Sequence, residues 1–223
     1  MKIVGMMCVK NEARWIADVL RGMWFCHRIL LMDDHSTDGT VSIAEMFSNV
    51  EVLPSPFLDY DEPRNNTWLL KKVAGLEPDW VMHTMGDEVV EFDTWIKIQP
   101  LLHDPDYSTI RFRVINLWDG IFMARTDGQW AKREADTLWR WSHRSLTYTG
   151  MHCGLPDGFE IRPHPDARLV PNATLRHYGY CSRTLRQEAY YFFMARDKNA
   201  VRLAGYRDLL AEPSDVILEY IGP

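Results

Sequence analysis

Carboxylates recur in this chain where apolar runs end. Lys2 to Val9 (KIVGMMCV) leads into Lys10-Asn11-Glu12. Ile29 to Met32 leads into Asp33-Asp34-His35-Ser36-Thr37-Asp38-Gly39-Thr40, and Trp80 to Met85 into Gly86-Asp87-Glu88. A cluster of like charges raises its own electrostatic cost unless cations or hydrogen-bond donors offset it, so carboxylates gathered in this way call for a divalent metal. Asp87, with Glu88 beside it, could hold Mg²⁺ or Mn²⁺, which would bridge phosphate oxygens and keep water in its other positions. The chain has no Gly-x-Gly-x-x-Gly turn and no Gly-Lys-Ser/Thr loop to cradle a diphosphate on backbone N–H groups. A metal would take over that task and stabilise a departing nucleoside diphosphate. Taken singly, each acidic group also fits a helix start or a polar turn; only the combination points to a metal.

The elements must bring these residues together. Lys2 to Val9 is an almost continuous apolar run, as expected of a strand buried on both faces. Asn11 is placed to cap a helix whose apolar positions Trp15, Ile16, Val19, Leu20, Met23 and Trp24 recur at helical spacing. A second strand at Ile29 to Met32, a helix around Val41 to Phe47, and a third strand near Val50 to Leu53 follow. After a Pro-punctuated loop come a helix from about Asn66 to Ala74 and a strand at Trp80 to Met85. This alternation predicts an α/β fold with a mostly parallel sheet flanked by helices, whose strand C-termini share one edge where ligands bind. Beyond residue 105 the pattern is irregular, with a strand at Thr109 to Ile115 and a helix at Gln187 to Ala204.

Composition bounds the answer. At 223 residues, 46% hydrophobic and 25% charged, the chain is sized for one globular domain. Within that one domain the character of the sequence changes near residue 105. No run approaches the ~18 apolar residues of a membrane span, and no signal peptide opens the chain, so a soluble cytoplasmic enzyme is expected. Cys8, Cys26, Cys153 and Cys181 form no Cys-x-x-Cys pair and are read as reduced. The net charge of -6 weighs against broad nucleic-acid binding. It divides unevenly, however, with 9 basic and 17 acidic residues in 1–105 against 16 and 14 in 106–223. Trp118, Trp130, Trp139 and Trp141 gather in the second half, where aromatic faces could stack on sugar rings; core packing is the commoner use of such residues.

Val9-Lys10-Asn11-Glu12-Ala13, Met32 to Thr40 and Met85-Gly86-Asp87-Glu88 resemble the motifs of family 2 glycosyltransferases of the GT-A fold. The resemblance covers about residues 1–100, with an echo at Arg176-His177-Tyr178-Gly179-Tyr180, and implies a nucleotide-sugar-binding half, 1–105, followed by an acceptor-binding half with C-terminal helices, 106–223, within one domain. It implies a donor site made of Val9, Lys10, Glu12, Asp34 and Gly86, joined by Arg64 and Asn65, which resemble a base-side Arg-Asn pair ahead of the third helix. It also implies a metal held by Asp87 and His177. The family's metal motif is Asp-x-Asp; here Met85 stands at its first position. An inverting transfer needs a carboxylate to take the proton of the acceptor hydroxyl. Asp119, Glu134, Asp136 and Asp157 are the candidates, and Asp157 is preferred; relatives often carry His-Glu where this chain has His152-Cys153. The expected reaction is transfer from a nucleotide-sugar such as a UDP-sugar to a saccharide, lipid-linked or other hydroxyl acceptor. Alternatives are a sugar-phosphate nucleotidyltransferase, a non-catalytic nucleotide-sugar binder, and a glycosyltransferase acting on modified DNA bases.

Overall fold

The structure, a computed structural model, describes residues 1–141, 147–148, 156–157, 167–196 and 203–222 of the chain. In chain order the elements begin with β1 (Ile3–Val9), α1 (Ile16–Gly22), β2 (Arg28–Asp33), α2 (Thr40–Ala44), β3 (Val50–Pro54), α3 (Glu62–Ala74) and β4 (Trp80–His83). There follow β5 (Glu88–Val90), α4 (Thr94–Ile98), β6 (Thr109–Asn116), β7 (Met123–Arg125), β8 (Glu134–Arg140), β9 (Thr147–Tyr148) and β10 (Pro156–Asp157). The last are β11 (Ala167–His177), α5 (Arg183–Arg196), α6 (Leu203–Asp208) and β12 (Leu218–Tyr220). They divide into two compact units, Met1–Arg113 with Glu134–Thr174, and Val114–Arg133 with Leu175–Pro223.

An eight-stranded sheet, in the order β3-β2-β1-β4-β8-β6-β11-β5, carries the first unit. Its first four strands run parallel, and β8 runs antiparallel to both β4 and β6. The unbroken apolar run of β1 follows from cover on both faces. Val4, Met6, Leu30, Met32 and Val81 form one core with Leu69, Leu70 and Val73 of α3. Ile16, Val19 and Leu20 of α1 are also fully buried. Gly22 ends α1 against β5, where a Cβ would stand 2.7 Å from the Val90 carbonyl oxygen, so no larger residue fits that approach.

Several expected boundaries are corrected. Asn11 does not cap α1; it takes a left-handed φ of 56°, and α1 begins after Trp15 with no side-chain cap. Trp24 lies beyond the helix rather than on its buried stripe and is 48% exposed. The third helix starts four residues earlier than expected, because Asp61 accepts the Arg64 N–H as its N-cap and Pro63 sits in its first turn. Arg64 and Asn65 therefore belong to α3 itself. α5 likewise begins at Arg183.

The second unit has its own core of Trp118, Trp130 and Leu209, against which Tyr180, Tyr190 and Phe193 pack. β7 and β12 pair antiparallel beside it. Arg125 reaches Asp127 at 2.8 and 2.9 Å and Asp208 at 2.8 Å, with its guanidinium 4.6 Å from the Trp118 ring centroid. Trp118, Trp130 and Trp139 are all buried, so packing accounts for most of the aromatic group that the second half of the chain carries. Among the described residues no helix is long and apolar enough to cross a membrane.

Candidate active site

Because β1 lies between β2 and β4, the turns at their carboxyl ends are neighbours. The Asp34 N–H donates to the Val9 carbonyl at 2.8 Å, continuing the ladder past the strands. Side chains of the 33–40 loop then hold the turn that follows β1. Ser36 Oγ accepts the Asn11 N–H at 2.9 Å, Thr40 Oγ1 the Glu12 N–H at 2.8 Å, and Asp38 Oδ2 the Ala13 N–H at 3.1 Å. In return Asn11 Oδ1 accepts the Thr37 N–H at 2.8 Å. Short polar side chains at these positions thus satisfy backbone donors of a neighbouring turn. Their role as a clamp escaped the sequence reading, although the density of Ser, Thr and Asp after β2 was its signal.

The clamp fixes Glu12 beside Asp87. A Cβ on Gly86 would stand 2.5 Å from Glu12 Cγ and 3.0 Å from Val9 Cγ1, so the glycine is what lets the two turns close on each other. Burial, then the charges of Asp87 and Asp38, push the Glu12 carboxyl up to about 8. Between the turns after β1 and β2, Lys10 Nζ lies 3.6 Å from Asp34 Oδ2, with the carboxylate buried and the lysine exposed. Glu12, Asp34 and Asp87, distant in sequence, are therefore gathered along one edge of the sheet.

Other expected members are placed differently. Glu88 is buried, and its Oε2 accepts the Met85 N–H at 3.3 Å, so this carboxyl turns back on its own loop. The Arg64 guanidinium lies 4.0 Å from the Phe57 ring centroid and donates to Asp59 Oδ1 at 2.9 Å and to Asn65 Oδ1 at 3.1 Å. Asn65 is fully buried, and its Nδ2, like Oδ1 of Asp33, has no hydrogen-bond partner among the described residues. Unsatisfied polar atoms of this kind are costly unless a ligand or water meets them. His83, buried at the end of β4, has its pKa lowered to about 4 by burial and is neutral.

Among the candidate bases, Asp136 is held bidentately by Arg111 at 2.5 and 3.0 Å, and Glu134 lies 3.6 Å from the same guanidinium. Asp119, with a left-handed φ of 51°, pairs with the buried Arg186 at 2.8 Å in the second unit. Asp157 sits in β10, opposite Thr147 of β9; its side chain lies outside the described residues, as do His152 and Cys153. His177 belongs to the second unit, buried, with its ring centroid 4.3 Å from that of Tyr180.

Among the described residues no three His, Cys, Asp or Glu side chains form a metal-holding group. The Glu12 and Asp87 pair still suits Mg²⁺ or Mn²⁺, since such ions commonly take one or two carboxylates and fill the remaining positions with phosphate and water. Glu12, whose pKa is raised by burial and then by the neighbouring carboxylates, is the kind of group that a cation would relieve.

No protein-family model matches the chain. Over 214 residues it is 27% identical to two mycobacterial proteins, uncharacterized protein Mb3815c of Mycobacterium bovis and Rv3786c of Mycobacterium tuberculosis. The match takes in 85% of this chain and 50% of each relative, so the chain spans about half their length. The structure resembles S. aureus TarS with a TM-score of 0.54 at 13% identity, covering 95% of this chain and 42% of that one. Against TarS 1–349 the TM-score is 0.50, with 95% and 70% covered. TarS 1–349 has also been crystallised with UDP-GlcNAc. The chain has the GT-A fold of family 2 glycosyltransferases.

Proposed function

We propose that this chain is a glycosyltransferase that moves a sugar from a nucleotide-sugar donor, a UDP-sugar first among them, to a hydroxyl acceptor with inversion and the help of Mg²⁺ or Mn²⁺. The observation that carries this reading is the meeting of Glu12 and Asp87 at the carboxyl ends of parallel strands, with the Glu12 carboxyl pushed up to about 8. Paired carboxylates at a sheet edge of this topology mark where a cation and a nucleotide bind. That TarS 1–349, which shares the fold, has been crystallised with UDP-GlcNAc supports the choice of nucleotide.

In this reading Asp87 and Glu12 hold the cation, which when bound offsets the negative charge of the departing nucleoside diphosphate. Val9, Lys10, Asp34 and Gly86 line the nucleoside, with Arg64 and Asn65 at its base side; the buried Nδ2 of Asn65 awaits an acceptor. Asp157 accepts the proton of the attacking hydroxyl. Each of its rivals is tied to an arginine: Arg111 holds Glu134 and Asp136, and Arg186 holds Asp119. Asp157 also belongs to the same unit as Glu12 and Asp87. His177 is carried as a further metal or diphosphate ligand by the motif resemblance alone.

The test is thermal unfolding with nucleoside diphosphates, with and without Mn²⁺, followed by an assay of diphosphate release from nucleotide-sugars. UDP at ~100 times its Kd should stabilise the protein by about 2.7 kcal/mol, a rise in Tm of roughly 5–10 °C that requires Mn²⁺. Asp87→Ala should lose both that rise and turnover. Metal-dependent stabilisation without diphosphate release would instead favour a non-catalytic binder, a reading that Met85 at the first motif position and the inward turn of Glu88 support. Release of pyrophosphate from a nucleoside triphosphate would favour the nucleotidyltransferase.

A further inference from the structure

At the end of the sheet away from the carboxylates, a cavity of about 420 Å³ opens between the start of β1, the segment before β2, and the stretch from α4 to residue 103. Ile3 and His27 lie at the amino ends of β1 and β2, whereas Glu12 and Asp34 follow their carboxyl ends. Its wall is aromatic. Phe25 and Trp95 stack with ring centroids 4.6 Å apart, and Trp24 meets Trp95 edge-on at 6.0 Å. Beyond the mouth Trp24 stacks on Phe92 at 5.9 Å, and these two rings are 48% and 73% exposed. Exposed His27, Gln99 and His103 supply hydrogen-bonding groups to the lining, which contains no Asp, Glu, Lys or Arg.

That combination selects a ligand class. The amino group of Met1, which also lines the cavity, is paired with Asp79 Oδ2 at 3.9 Å, and with no Lys or Arg beside it a phosphate, a nucleotide or an acidic peptide would lose hydration and gain no unpaired ionic partner. A purely apolar guest would leave the imidazole and amide groups of the rim unsatisfied. A pyranose ring answers both requirements: its axial C–H bonds collect on one face and rest against the electron-rich face of an aromatic ring, while hydroxyls surround its edge. We propose that this cavity binds a neutral saccharide, on the strip formed by Trp24, Trp95 and Phe92, at a place remote from the Glu12 and Asp87 edge. The site goes beyond the sugar transfer proposed above and holds a glycan whether or not that reaction occurs.

The test titrates the 223-residue protein, with neither donor nor metal present, against maltohexaose, cellohexaose and N-acetylchitohexaose while following the tryptophan indole N–H signals by NMR. At least one oligosaccharide should shift the Trp24 and Trp95 signals saturably. Trp24→Ala, a change at an exposed ring, should leave Tm unchanged and weaken that binding about tenfold. Gln99→Ala should weaken it as well. The proposal is overturned if none of the three sugars gives a saturable shift, or if Trp24→Ala binds as tightly as the parent. It is equally overturned if ultracentrifugation shows that these rings mediate a dimer that Trp24→Ala abolishes.

Discussion

The Glu12 carboxyl keeps its proton up to about pH 8 in the fold, whereas an ordinary glutamate gives it up near 4.5. Between those values the unfolded chain binds fewer protons than the folded one, so the Glu12 contribution to stability is present below 4.5 and is lost as pH rises through 8. His83 works in the opposite direction: its lowered pKa gives stability that is present above 6.5 and lost as pH falls towards 4. Among the described residues the window from pH 6.5 to 8 therefore singles out Glu12. Urea unfolding should show metal-free stability declining across that window in the parent and staying nearly level in Glu12→Gln; parallel profiles would remove Glu12 from the carboxylate pair. At this scale the sequence was informative about position: Glu12, Asp34 and Asp87 do follow the carboxyl ends of parallel strands. It misled on Asn11, which reads as a helix cap; its left-handed turn and the bond it accepts from Thr37 depend on a loop 26 residues away.

α3 shows how an element can be legible in kind and misread in extent. Pro63 looks like loop punctuation, yet proline is well suited to a first helical turn because its missing N–H would have had no partner there. Asp61 completes the start by accepting the Arg64 N–H at 2.9 Å. Asp61→Ala should cost about 1 kcal/mol, read as a Tm fall of roughly 2–4 °C. Since Arg64 and Asn65 ride on that first turn, the same variant should raise KM for the donor more than it lowers kcat. The parallel strands were readable from apolar runs that end in polar loops. The partnership of β5 with β11 was not, because pairing between segments so far apart leaves no local periodicity.

Each of the two units is assembled from segments that are not contiguous in sequence, which no reading of halves split at residue 105 would suggest. In the second unit Arg125 ties Val114–Arg133 to the C-terminal segment through Asp208, 83 residues away. Its side chain is 3% exposed, and removing it strands two carboxylates beside an aromatic core. Arg125→Met should cost about 3 kcal/mol and lower Tm by ~10 °C, measured by calorimetry; an unchanged Tm would mean the tie contributes nothing. In the first unit, β4 waits for its outer neighbour β8, and β5 for β11, across long stretches of chain. On a ribosome adding ~5–20 residues per second, the flank of β4 stays bare for roughly 3–10 s after it emerges. Nascent molecules are then most open to pairing with one another, and slower synthesis or a holding chaperone should govern how much of the protein reaches its native form.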